Sequence, residues 1–86
     1  MPRISEFFGI AIYMYYREHQ PPHFHAIYGE EEALVSIENL SVIAGGLSPR
    51  AIGLVMEWAS IHHDELLQCW STAQMQQPLG RIEPLR

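Results

Sequence analysis

Lysine is missing from the chain, and that absence narrows the functional classes before any motif is read. All five basic residues are arginines (Arg3, Arg17, Arg50, Arg81 and Arg86), set against ten acidic residues for a formal charge of −5. Non-specific nucleic-acid binding draws on clustered positive charge. An RNA-directed role would therefore rest on a few local arginines working against an unfavourable overall field. Cysteine is nearly absent as well: Cys69 stands alone, which excludes an intramolecular disulfide and a Cys-x-x-Cys centre. On a helix it reads as a small apolar filler. No apolar run approaches the roughly 18 residues needed to span a membrane. Met1-Pro2-Arg3-Ile4 leads into a strand-like segment without a secretory pattern. The expectation is a cytosolic chain with no membrane contact. A phosphate-binding glycine loop is also lacking, as is a nucleophilic Ser or Cys with a convincing base.

What is present fits one domain over residues 1–86. A chain of this length buries about 60–65% of its unfolded surface, so its stability margin is modest. With 48% hydrophobic and 17% charged residues it is too apolar for intrinsic disorder. The aromatic and β-branched run at residues 7–16 predicts a strand. Its period of two puts Ile10, Ile12, Met14 and Tyr16 on the core face and Tyr13 and Tyr15 on the other. Pro21-Pro22 ends that run. Further strands are expected at 23–28, 33–37 and 41–44, with Glu30 to Glu32 in a solvated turn. Gly45-Gly46-Leu47-Ser48-Pro49 is the strongest punctuation: Ser48 suits a helix cap and Pro49 the first helical position. One helix should run over 49–76, followed by an extended tail at 77–86 docked through Ile82 and Leu85. The predicted fold class is α+β, an antiparallel meander of three or four strands under one long C-terminal helix.

The residues that can carry chemistry cluster in His19-Gln20-Pro21-Pro22-His23-Phe24-His25. His23 and His25 lie two apart on a strand, so their rings project from one face. Such a pair can chelate a divalent metal, zinc or nickel, with His19 across the turn as a third ligand. The same imidazoles can serve as general acid and base on a phosphodiester, with Arg17 neutralising a phosphate. The plain alternative places both histidines on the solvent face, because Phe24, Ala26 and Tyr28 make a good core face. His62 reads as inward or marginal on the helix and His63 as more exposed. His62 is left out of the site, and Asp64 and Glu65 are assigned to the polar helix face.

The segments Pro2-Arg3-Ile4-Ser5-Glu6-Phe7-Phe8-Gly9-Ile10, His19 to Ala26, Trp58 to Leu67 and Pro78 to Leu85 resemble a bacterial family of small domains, domain of unknown function 4160. The resemblance covers nearly the whole chain, and Pro-Pro-His-Phe-His-Ala is its most distinctive part. Members of that family are often encoded beside a second small domain of unknown function (2442), as a probable type II toxin–antitoxin pair. The resemblance therefore implies a toxin component neutralised by a small antitoxin protein, with His19, His23, His25 and His62 as the characteristic histidines. The chain departs from the family at His63, where arginine or glutamine is usual, and at Tyr13 and Ile27, where arginine is frequent.

Three functional readings follow. The first is a toxin whose surface at Arg17, His19, His23 and His25 cleaves RNA by histidine acid–base chemistry. The second is a non-catalytic metal-binding module. The third is a purely structural binding protein that docks a partner through Tyr13, Tyr15 and Ile27.

Overall fold

The computed structural model describes residues 2–86; Met1 lies outside the described residues. The strand expected over 7–16 is interrupted at Phe8-Gly9, where both residues take positive φ, 50° and 80°. Two consecutive positive-φ residues make the type I′ turn, whose twist suits a two-residue hairpin. Arg3–Phe7 (β1) and Ile10–Tyr13 (β2) therefore pair antiparallel, with Phe7 opposite Ile10. Composition hid this turn, because phenylalanine is a strand former and an unusual occupant of the left-handed region.

His23–Tyr28 (β3) follows the loop that contains the cis Gln20–Pro21 bond. It turns at Gly29-Glu30 into Glu31–Ser36 (β4), with positive φ at Gly29 alone, as a II′ hairpin requires. Val42–Gly45 (β5) completes the sheet. The order β1-β2-β3-β4-β5 is the expected antiparallel meander, with five strands rather than three or four.

Gly45 is fixed by geometry. Its φ is +66°, and a Cβ there would stand 2.2 Å from the Glu32 carbonyl oxygen. Gly45→Ala is expected to lower the unfolding free energy by about 2–4 kcal/mol through backbone strain and overlap. Urea unfolding checks this. An unchanged midpoint would mean that β4 and β5 are not held this closely.

Ser48 caps the helical segment, its Oγ accepting from Ala51 N at 3.4 Å, and Pro49 follows in the first turn. The single helix expected over 49–76 is two helices, Pro49–Ile61 (α1) and His63–Gln74 (α2), broken at His62 (φ −110°, ψ 28°). Neither glycine nor proline marks the break, so hydrophobic periodicity runs through it. Asp64 and Glu65 then stand in the first turn of α2, where carboxylates suit the helix dipole.

Trp58 of α1 is fully buried between Phe7 and Phe24, at ring-centroid distances of 5.3 and 5.7 Å. Ile4, Ile12, Met14, Val35, Val55, Ala59 and Leu66 close the core around it. The tail docks as expected: Ile82 is buried, its N–H donates to Ile4 O at 2.7 Å, and Trp58 Nε1 donates to Glu83 O at 2.8 Å. Tyr16 and Tyr28, assigned to core faces on alternation alone, are both exposed. No helix is long and apolar enough to cross a membrane among the described residues.

Candidate metal centre

His23 and His25 project from the face of β3 opposite Phe24 and Ala26, yet they are not solvated. Their residual exposures are 5% and 8%. His23 packs on Trp70 of α2 at 5.2 Å, and the edge of Tyr15 meets His25 at 4.5 Å. The β2–β3 loop folds back to bring Glu18 over the two rings. Gln74 near the end of α2 helps to hold that loop, its Nε2 donating to Glu18 O at 3.2 Å.

The hydrogen bonds set which ring nitrogen is available. His23 Nδ1 lies 2.8 Å from Pro21 O, and a carbonyl only accepts, so Nδ1 carries the proton. His25 Nδ1 lies 2.8 Å from Glu32 Oε2 and donates to it in the same way. Both Nε2 atoms are thereby turned toward Glu18. His25 Nε2 is 2.6 Å from Glu18 Oε1, and His23 Nε2 is 3.4 Å from it. His23 Nε2 is nonetheless one of two buried side-chain polar atoms without a hydrogen-bond partner among the described residues, the other being Ser5 Oγ. A buried nitrogen lone pair facing a carboxylate oxygen is a position that a cation, a proton or a metal ion, can fill.

Glu18, His23 and His25 meet the spatial requirement, since their ligand atoms all lie within 4.8 Å of one another. Zinc bonds of about 2.0–2.2 Å at tetrahedral angles separate neighbouring N and O ligands by roughly 3.3 Å. The 3.4 Å between His23 Nε2 and Glu18 Oε1 already fits that spacing. His25 and Glu18 sit at hydrogen-bond distance, and Glu18, on a partly exposed loop, has room to withdraw. Glu32 fixes the tautomer and orientation of His25 through Nδ1, as a carboxylate behind a metal-binding histidine would.

Burial first, then the carboxylate of Glu32, the neighbouring Tyr13 and the carboxylate of Glu18, push the Tyr15 hydroxyl above its ordinary pKa, so it stays a neutral phenol beside the site. Burial, followed by Glu65, likewise raises the Cys69 thiol, which makes it a slow nucleophile.

Among the residues the sequence singled out, the structure brings together only His23 and His25. His19 and Arg17 are exposed and make no side-chain hydrogen bond or ion pair among the described residues. Glu18 stands where His19 was expected. His62 bonds through Nδ1 to Glu65 Oε1 at 2.6 Å and packs on Trp58, so it belongs to the helix junction. The more exposed His63 bonds Ile37 O at 2.7 Å. The acidic turn is not simply solvated: Glu32 holds His25, and Glu31 Oε1 accepts from Ser48 N at 3.2 Å. Glu18 and Glu32 are the residues that sequence reasoning missed. Glu32 sits opposite Ile27, diagonal to His25, a relation visible only once the β3–β4 register is known.

A family model described as Domain of unknown function (DUF4160) matches residues 9–71. The chain belongs to that family. Glu18, His23, His25 and Glu32 all fall inside the matched span. No curated protein and no solved structure matches the chain.

Proposed function

We propose that this DUF4160 domain is a metal-binding module whose Glu18, His23 and His25 hold one zinc ion, with nickel as the competing ion. The observation that carries this reading is the convergence of two buried imidazole Nε2 atoms on one carboxylate, each ring locked by a partner at Nδ1. A bound ion would supply a Lewis acid, and three protein ligands leave one position of a tetrahedral ion for water or a partner's side chain. The protein's own part is to orient the two imidazoles, through Pro21 O and Glu32, and to shield them with Tyr15 and Trp70.

The biological setting implied by the family resemblance, the toxin side of a bacterial toxin–antitoxin pair met by a small protein partner in the cytoplasm, forms part of the same proposal. Histidine acid–base cleavage of RNA has less support. Both histidines are buried, and Arg17 makes no side-chain hydrogen bond or ion pair with either.

Titration calorimetry with zinc tests the reading. One equivalent should bind to the parent chain, and Glu18→Ala or His25→Ala should abolish the high-affinity isotherm. Glu32→Gln should weaken binding by about 10–100-fold, as loss of an outer carboxylate does. Zinc binding untouched by His25→Ala would place the metal elsewhere and overturn the proposal.

A further inference from the structure

The two edges of the sheet are treated differently. At the β1 edge the C-terminal tail lies alongside, Ile82 N–H bonding Ile4 O and Glu83 O taking the Trp58 indole proton. The β5 edge has no such strap among the described residues. All four residues of Val42–Gly45 are exposed, Val42 by 40% and Ile43 by 45%. Apart from the ladder to β4, no backbone group of Val42–Ala44 makes a hydrogen bond among the described residues. An edge strand presents a row of unpaired N–H and C=O groups, and monomeric proteins blunt such edges with lysine, proline, inward charge or a covering segment. The composition of β5, Val-Ile-Ala-Gly, carries no lysine, proline or charge; the blunting it does have is its four-residue length and the register shift against β4 between Val42 and Ala44.

The charge around this edge selects the occupant. Between Arg17 and Arg50 the chain carries Glu18, Glu30, Glu31, Glu32 and Glu38, and no arginine or lysine. Three of these lie beside the edge: Glu31 and Glu32 on β4, which pairs directly with β5 but whose carboxylates also accept from Ser48 N and His25 Nδ1, and Glu38 in the connection between those strands, which has no side-chain bond among the described residues. A second copy meeting edge to edge would bring the same carboxylates against their own kind, like charges that destabilise a strand pair. We infer that β5 accepts a strand from a different protein, apolar in its central residues and flanked by lysine or arginine, which adds to the sheet as a sixth strand. Main-chain hydrogen bonds would supply the affinity and the glutamates the choice of partner. The inference does not rest on the metal reading, although Glu32 is common to both, holding His25 Nδ1 from the strand that pairs with β5.

The test uses two blocked nine-residue peptides with a valine–isoleucine centre, one flanked at both ends by arginines and the other by glutamates, added to the intact isotopically labelled chain. The arginine peptide should shift the amide resonances of Val42 to Gly45, with an affinity that falls as salt rises. The glutamate peptide should leave them in place. Ile43→Lys, which sets a cation on an exposed edge residue, should weaken the arginine peptide at least tenfold while zinc uptake and the melting midpoint stay at parent values. Equal response to both peptides, or no shift at Val42–Gly45 with either, would overturn the inference. So would a concentration-dependent dimer in sedimentation equilibrium that Ile43→Lys dissociates, since the occupant would then be a second copy.

Discussion

Zinc in hundredfold excess over its dissociation constant should stabilise the chain by about 2.7 kcal/mol, by mass action on the folded state alone. For a domain of this size that raises the melting midpoint by roughly 10–20 °C. The size follows from the site being built only in the folded chain: Glu18 and His25 are seven residues apart, and Glu32, which orients His25, belongs to the next strand. His23→Leu separates this effect from general stabilisation. It removes the buried nitrogen that has no hydrogen-bond partner, a group of the kind that costs about 1–3 kcal/mol when left unsatisfied, and puts an apolar side chain against Trp70. That variant should melt at or above the parent chain without added metal and show no zinc shift. His62→Ala, at the helix junction, should keep the shift. A His23→Leu chain that still gains 10 °C or so with zinc would show that the ion binds elsewhere.

Trp58→Ala should have the largest effect of any single substitution on stability. The indole is fully buried between Phe7 and Phe24, so its truncation leaves a cavity at the contact between α1 and the sheet. Such changes cost about 3–5 kcal/mol. The lost Nε1–H bond also releases Glu83 O and loosens the tail around Ile82. Small domains hold stabilities toward the lower end of roughly 5–15 kcal/mol, so the variant should be partly unfolded at room temperature. Trp58→Phe keeps most of the ring and loses the hydrogen bond, for about 1 kcal/mol. A Trp58→Ala loss below about 1 kcal/mol would contradict this packing, since deleting a buried indole leaves a cavity.

Much of the fold could be read from the sequence because its signals are local. Ser48-Pro49 announces a helix start and Gly29 a hairpin, and each does what its backbone chemistry dictates, whereas Pro21-Pro22 only precedes β3, β2 having ended already at Tyr13. The errors came where composition and geometry part company. Phe8 looks like the interior of a strand and is a turn residue, which conceals β1 as a separate strand. His62 continues the apolar period, its ring against Trp58 and bonded to Glu65, and yet the backbone leaves the helix there at φ −110°. Alternation buried Tyr28 on paper, whereas the strand ends there and the ring is exposed.

The site was half legible. The spacing of His23 and His25 shows in the sequence, since an i, i+2 pair on any strand shares a face. Their third partner does not. The histidine run points to His19 over Glu18, but the path of the loop decides which neighbour turns inward. Glu32 depended on a cross-strand diagonal that only the register reveals.

The most direct test of the metal centre is a long-range proton–nitrogen correlation spectrum of the imidazole rings, recorded before and after one equivalent of zinc. Of the five histidines, His23 and His25 alone should move, their Nε2 resonances shifting to metal-bound positions while Nδ1 stays protonated against Pro21 O and Glu32. Shifts at His19, His62 or His63, ligation through Nδ1, or five unchanged rings would contradict the Glu18–His23–His25 centre.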